Sequence, residues 1–355
     1  MNICIVGQYP PQLGGVATYT KQLEEKLLEE GHNVYILTYK QNQNPRDNVY
    51  MAMGVNIPIL RGLLFIVSSY FMLNKITEEH DIDIIHANYI LPPGLISVFN
   101  KSRAKKIITI HGSDINILPN SKILRPLIKF ALNRADSLYF VSEKLKNKAI
   151  DICGEKIENK SYVTPNTVDT RKFKPRPENE KRREHDEMIT VTFIGNLVEQ
   201  KGLKYLLKAK EISESEYKLL IYGDGPQKEE LKEYIETKNI KDTYLMGKTD
   251  TPEKIIPESD IMVLPSVSEG ASIVALESMS CEKALVATDT GNITTVITDK
   301  ENGVIVPTKN PELLSEALDN LVNNEDERTR IGKNARKLIM EKYSKMKIPY
   351  IDNNH

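Results

Sequence analysis

The sequence predicts an α/β chain built as two doubly wound domains, and three observations carry that prediction. Short apolar runs alternate with amphipathic stretches along the whole chain, the pattern of parallel sheets covered by helices. One segment interrupts the alternation. Residues 171–187, RKFKPRPENEKRREHDE, are dense in charge and Pro and nearly free of apolar side chains, as an exposed linker is. The 355 residues suffice for two or three domains of ordinary size.

In the first half, ICIV at 3–6, VYILT at 34–38, IDIIH at 82–86, IITI at 107–110, LYFV at 138–141 and YVT at 162–164 have the length and apolar character of buried strands. Between them, 17–30, 63–79 and 123–134 space apolar residues as helices do. In the second half the strands fall at 190–194, 218–222, 244–246, 261–264, 284–287 and 304–306. Helices are expected at 203–213, 227–237, 272–280 and 311–322, and 325–343 can form a last one before IPYIDNNH. The expected division is a first domain at 1–175, a second at 188–340 and a tail at 341–355. Open α/β sheets bind ligands outside the carboxyl ends of their strands, so a cleft between the domains is the expected site.

The formal net charge of −1 gives no global reason to expect a nucleic-acid partner. The halves differ: residues 1–180 hold 23 Lys and Arg against 18 acids, and residues 181–355 hold 25 against 31. Cys4, Cys153 and Cys281 are far apart and odd in number, so a reducing, cytoplasmic setting without a disulfide framework is expected. The N-terminus starts on a strand-like run, with no signal peptide. The longest apolar stretch, LLFIVSSYFML at 63–73, is about half a membrane span.

The most informative stretch is LPSVSEGASIVALESMSCEKALVATDTG, 264–291. An apolar strand leads into a Ser-rich turn, then a helix, then a second strand. Such a helix start presents free N–H groups to an anion. Glu269 lies in the loop and Glu277 about two turns into the helix. One carboxylate at each end suits a ligand with two sets of hydroxyls flanking an anionic centre, as a nucleotide sugar has. PSVSEG, LESM and TDTGN in this order resemble the donor-site signature of retaining glycosyltransferases of family 4, whose fold is called GT-B. The resemblance extends over nearly the whole chain.

It implies roles residue by residue. Glu269 would approach the donor-sugar hydroxyls and Glu277 the ribose hydroxyls. The N–H groups around Gly270, Ala271, Ser272 and Ile273 would face the diphosphate. Ala271-Ser272 stands where Phe-Gly is common, which changes the size of the sugar pocket. FIGNLVEQKG, 193–202, matches the phosphate-contact segment: Gly195 turns the chain and Lys201 would meet the diphosphate. Asn196 replaces the usual Arg there, and an amide brings neither charge nor a bidentate fork. Gly223, in the turn YGDGP, would shape the site. Gly247 and Lys248 would border the nucleobase; with Asp242 where a Walker loop needs Gly, the GKT there is no such loop. In the first domain Gly14 and Gly15 of GQYPPQLGGVATYT would face donor phosphates and acceptor. His111, opening HGSD, would lie near the donor sugar without acting as a general base. The tail implies a shortened crossing segment.

Plainer readings stay open for each: an acidic helix start, a Gly pair in a simple turn, a turn histidine, a solvated lysine. The expected activity is transfer of a sugar from a nucleotide-diphosphate sugar to a hydroxyl of a glycan or lipid-linked acceptor, with retention and with neither metal nor cofactor. A non-catalytic nucleotide-sugar-binding subunit and a GT-B sugar-nucleotide epimerase are the alternatives. A further expected partner is the inner membrane face. From 101 to 134 there are eight Lys and Arg against one acid, Asp114. Ile123, Leu127, Ile128 and Leu132 stand there among Lys122, Arg125, Lys129 and Arg134, a pattern that suits anionic lipid. The ordinary alternative is a helix packed on its own sheet.

Overall fold

The computed structural model describes residues 1–12, 14–40, 46–52, 58–116, 118–177, 188–270 and 272–352; of 58–64 and Ser113 it describes the backbone alone. Two compact units emerge, Met1–Asn166 with Met346–His355 and Thr167–Lys345. The linker expected at 171–187 lies largely outside the described residues.

In the first unit β1 (Asn2–Val6), β2 (Asn33–Tyr39), β3 (Val49–Ala52), β4 (Ile84–Asn88), β5 (Lys105–Ile110), β6 (Ser137–Phe140) and β7 (Ser161–Val163) form one sheet in the order β3-β2-β1-β4-β5-β6-β7. All pairs are parallel. Ile3, Cys4, Ile5 and Val6 are wholly buried because helices cover the central strand on both faces. Leu23 and Leu27 of the Gly15–Glu29 helix are buried likewise. Phe65, Leu73 and Ile76 of the Pro58–Glu79 helix join Cys4, Val6 and Leu37 in the core. The helices Pro58–Glu79, Leu95–Phe99, Leu124–Arg134 and Glu143–Cys153 pack each against the next.

The structure adds elements that hydropathy did not mark. β3 is a short edge strand, and the Leu95–Phe99 and Glu143–Cys153 helices are additions too. The Ser142 hydroxyl caps the latter by accepting from the Leu145 N–H at 3.4 Å.

In the second unit β8 (Thr190–Ile194), β9 (Lys218–Tyr222), β10 (Thr243–Gly247), β11 (Ile261–Leu264), β12 (Ala284–Thr288) and β13 (Val304–Val306) run parallel in the order β10-β9-β8-β11-β12-β13. One core face joins Val191, Phe193 and Val263 to Leu206, Leu207 and Leu318. The other joins Met262, Leu264 and Leu285 to Leu276, Ala335 and Ile339.

The boundaries differ from the division expected at 175, 188 and 340. Val168 and Phe173 are buried in the second unit's core, and the Val168 N–H donates to the Tyr343 carbonyl at 3.0 Å. The chain from Thr167 therefore belongs to the second unit. The tail does not stand apart: Met346–His355 belongs to the first unit. Tyr350, on the Pro349–Asp352 helix, is buried there, its hydroxyl 3.0 Å from His86 Nδ1. Ile348, just before that helix, is buried as well. Among the described residues no helix is long and apolar enough to cross a membrane.

Candidate functional site

Strand order decides which loops meet. In the second sheet the chain winds outward from β8 through β9 to β10, and from β11 through β12 to β13. The switch point lies between β8 and β11, which are paired. Ligands of open α/β sheets sit at that position, outside the strand carboxyl ends. The loop after β8 carries Gly195, Asn196 and Lys201; the loop after β11 carries Ser266, Glu269 and Gly270.

Backbone bonds sew these loops together. The Gln200 carbonyl accepts from the N–H groups of Val267 at 2.8 Å and Ser268 at 3.2 Å. Gly202 has φ +67, and a Cβ there would lie 2.0 Å from the Pro265 carbonyl oxygen. Only glycine combines that left-handed backbone with that approach. The result places Lys201 against Glu269: the ammonium is ion-paired with Glu269 Oε2, and the Ser266 hydroxyl donates to the same oxygen at 3.3 Å. Both charged side chains are about one-fifth to one-quarter exposed. The two motifs, 68 residues apart, thus form one polar cluster. The Thr288 hydroxyl, at the end of β12, donates to the Ser266 carbonyl at 2.5 Å and steadies the turn.

The next loops close the same end of the sheet. The Gly195 N–H donates to the Tyr222 carbonyl at 3.0 Å, and the Gly223 N–H to the Gly247 carbonyl at 2.8 Å. A Cβ on Gly223 would lie 1.9 Å from the Gly195 carbonyl oxygen, so β9 must leave through a glycine here. Lys248 pairs with Asp250 at 3.3 Å. The Asn196 carbonyl accepts from the Val198 N–H at 3.0 Å.

Ser272 caps the Ile273–Ser280 helix, its hydroxyl accepting from the Ala275 N–H at 3.3 Å. The N–H groups of Ile273 and Val274 are the ones a helix start cannot satisfy internally, and they suit an anion. Ala271 lies outside the described residues. Ser266, Glu269, Ser272, Thr290 and Asn292 line a small niche beside the Lys201–Glu269 pair.

Glu277 lies on the helix that Ser272 caps. Its carboxyl is buried, and burial pushes its pKa up to about 7; Lys172 opposes the rise and Glu253 adds to it. Lys172 and Glu253 pair at 3.6 Å. A half-protonated carboxyl at neutral pH can accept from a pair of hydroxyls, or donate.

In the first unit the switch point lies between β1 and β4. Gly14, with φ 131, precedes the Gly15–Glu29 helix, which starts one residue beyond it. Tyr19 of that helix meets the His111 ring edge-on, centroids 4.8 Å apart. This brings the Gly pair's helix to the HGSD turn. Burial lowers the His111 pKa to about 3, so the imidazole is neutral. Its Nε2 is enclosed and has no hydrogen-bond partner among the described residues.

Sequence reasoning passed over two residues here. Buried Asp114 accepts from the Gly112 N–H at 2.8 Å and the His111 N–H at 3.3 Å, fixing the turn. No turn signature in HGSD marked it, because its bonds run back to the preceding N–H groups rather than forward as in an Asx turn. Asn88, at the end of β4, donates to Thr20 Oγ1 at 2.9 Å and keeps an enclosed Oδ1 with no partner among the described residues.

The family of glycosyl transferases group 1 matches residues 175–338, and glycosyltransferase family 4 matches residues 13–172. The chain belongs to the group 1 glycosyltransferases. An uncharacterized glycosyltransferase of Methanocaldococcus jannaschii is 29% identical over 95% of this chain and 92% of its own. The N-acetyl-alpha-D-glucosaminyl L-malate synthase of Bacillus anthracis is 25% identical over 95% of this chain and 92% of its own. Among solved structures, a Thermosynechococcus elongatus sucrose-phosphate synthase superposes with TM-score 0.82, at 19% identity, over 96% of this chain and 94% of its own. Anabaena HepE in complex with UDP-glucose superposes with TM-score 0.80, at 16% identity, over 96% and 95%. The fold of this glycosyltransferase is therefore GT-B.

Proposed function

We propose that this glycosyltransferase moves a sugar from a nucleotide-diphosphate sugar to a hydroxyl of a glycan or lipid-linked acceptor, with retention of anomeric configuration. The observation that carries the reading is the Lys201–Glu269 pair at the switch point of the second sheet. Without donor, each charge neutralises the other. With donor, the Lys201 ammonium turns to the diphosphate and Glu269 to the sugar hydroxyls, so both ends of the pair gain a ligand group. The helix start at Ser272 and Ile273 faces the same diphosphate, and Asn196 hydrogen-bonds it. Glu277 takes the ribose hydroxyls, and Gly247 and Lys248 border the base. Gly195, Gly223 and Gly270 shape the turns that hold the donor. In the first unit Gly14, Gly15 and neutral His111 serve the sugar and the acceptor.

In the reaction the anomeric carbon's bond to the diphosphate oxygen breaks and its bond to the acceptor oxygen forms on the same face. The acceptor proton passes to the leaving diphosphate. The protein's part is positioning and stabilisation of the charge that develops on that group. This scheme uses neither metal nor cofactor. HepE holds UDP-glucose, and the malate synthase is named for a glucosaminyl product. The former supports a nucleotide-sugar donor here.

Glu277 supplies a pH test. Ribose hydroxyls donate to the ionised carboxylate, so binding favours the deprotonated form. Donor affinity should rise as pH climbs through about 7, by about tenfold between pH 6 and pH 8, with proton release on binding. Calorimetry in buffers of different ionisation enthalpy reads both. The dependence should vanish in Glu277→Gln; a wild type with flat affinity and no proton release would refute the ribose role.

Asn196 favours one second reading, a non-catalytic nucleotide-sugar-binding subunit, because the usual cation is missing there. Asn196→Arg should fold and bind the donor several-fold more tightly, since an added cation gains a charge-assisted bond. A folded variant that loses donor binding would mean the amide makes a different contact.

A further inference from the structure

Surface side chains of the first unit carry an inference that does not depend on the donor site. Large apolar side chains are exposed on three helices that pack side by side. Phe71 is 67% and Val67 48% exposed on Pro58–Glu79, Phe99 51% on Leu95–Phe99, and Leu127 39% and Phe130 41% on Leu124–Arg134. Ile123, at the N-cap of the last helix, is 79% exposed. The Phe99 and Phe130 rings stack at 5.1 Å, which joins the second helix to the third. The helical phase differs from the sequence expectation. Ile128 and Leu132 are wholly buried in the unit's interior, whereas Ile123, Leu127 and Phe130 face out. Likewise Phe65 and Leu73 face in while Val67 and Phe71 face out. A strictly core-facing helix would not display this second apolar stripe.

Around the second and third of these helices the exposed charge is mainly positive, while the first ends in exposed Glu78 and Glu79. Lys101, Arg103, Lys122, Arg125, Lys129 and Arg134 are exposed, and no ion pair engages them among the described residues. The one acid between 101 and 134, Asp114, is buried. Apolar side chains set among unpaired cations complement a surface that is anionic outside and hydrocarbon beneath. We propose that this face docks peripherally on an anionic lipid bilayer, with Phe71, Phe99, Ile123 and Phe130 entering the headgroup boundary and the cations meeting lipid phosphates.

The test is co-sedimentation of the full chain with vesicles of phosphatidylcholine alone or with phosphatidylglycerol, at low and moderate salt. Binding should require phosphatidylglycerol and fall with salt. Lys122→Ala/Arg125→Ala/Lys129→Ala should weaken it about 10²-fold, at about fivefold for each charge near an anionic surface. Phe71→Ser/Ile123→Ser should weaken it by at least about tenfold. Both variants should keep the wild-type melting temperature and nucleotide-sugar affinity, so a failure here is separable from a failure of the donor reading. Three outcomes would overturn the proposal. One is no binding to phosphatidylglycerol vesicles at low salt. Another is binding that both variants retain. The third is a dimer that Phe71→Ser/Ile123→Ser dissociates, which would assign the stripe to a second copy of the chain.

Discussion

Lys201→Ala should lower kcat/KM by about 10²-fold or more while the chain stays folded. The residue is held by its neighbours rather than by a core of its own. Its turn is fixed by the Gln200 carbonyl and by Gly202, so truncating the side chain leaves the loop in place. What disappears is the cation beside Glu269. Negative charge grows on the leaving diphosphate as its bond to the sugar breaks, so the loss should appear mainly in kcat. Steady-state kinetics, with circular dichroism as the fold control, make the comparison. A folded variant with wild-type turnover would remove Lys201 from the machinery.

Gly202→Ala should destabilise the second unit by about 3–5 kcal/mol. Two penalties add there: the left-handed backbone at φ +67, and a Cβ 2.0 Å from the Pro265 carbonyl oxygen. Gly247→Ala separates them. Gly247 has φ +78 with nothing within 4 Å of its missing Cβ, so it should cost only about 1–2 kcal/mol. Denaturant unfolding of both variants reads the difference. Equal costs would show that the approach to Pro265 relaxes freely and that the two loops are less firmly joined than the structure indicates.

Most of this architecture was legible in the sequence because its strands are buried on both faces. ICIV, IMVL and ALVA need no alternation to mark them as central strands of a parallel sheet. β3 escaped because VYMA is a four-residue edge strand whose apolar character barely exceeds its surroundings. The motifs named Lys201 and Glu269 but could not pair them, since their meeting depends on β8 lying beside β11. The motif named Glu277 but not its charged neighbours Lys172 and Glu253, both of which come from outside it. Asp114 and Asn88 act through backbone and burial, which composition does not record. The basic stretch was visible, yet its apolar phase was not: Leu127 and Ile128 are adjacent, and only the packed sheet distinguishes the exposed one from the buried one.

The measurement that tests the central claim most directly is time-resolved proton NMR of the wild-type chain with a nucleotide-diphosphate α-sugar, following the anomeric signal and the nucleotide together. A sugar transferred to acceptor, or released to water, should first appear as the α-anomer, with one free nucleoside diphosphate formed for each sugar. A β-configured first product would contradict retention. A changed sugar still joined to its nucleotide would contradict glycosyl transfer itself.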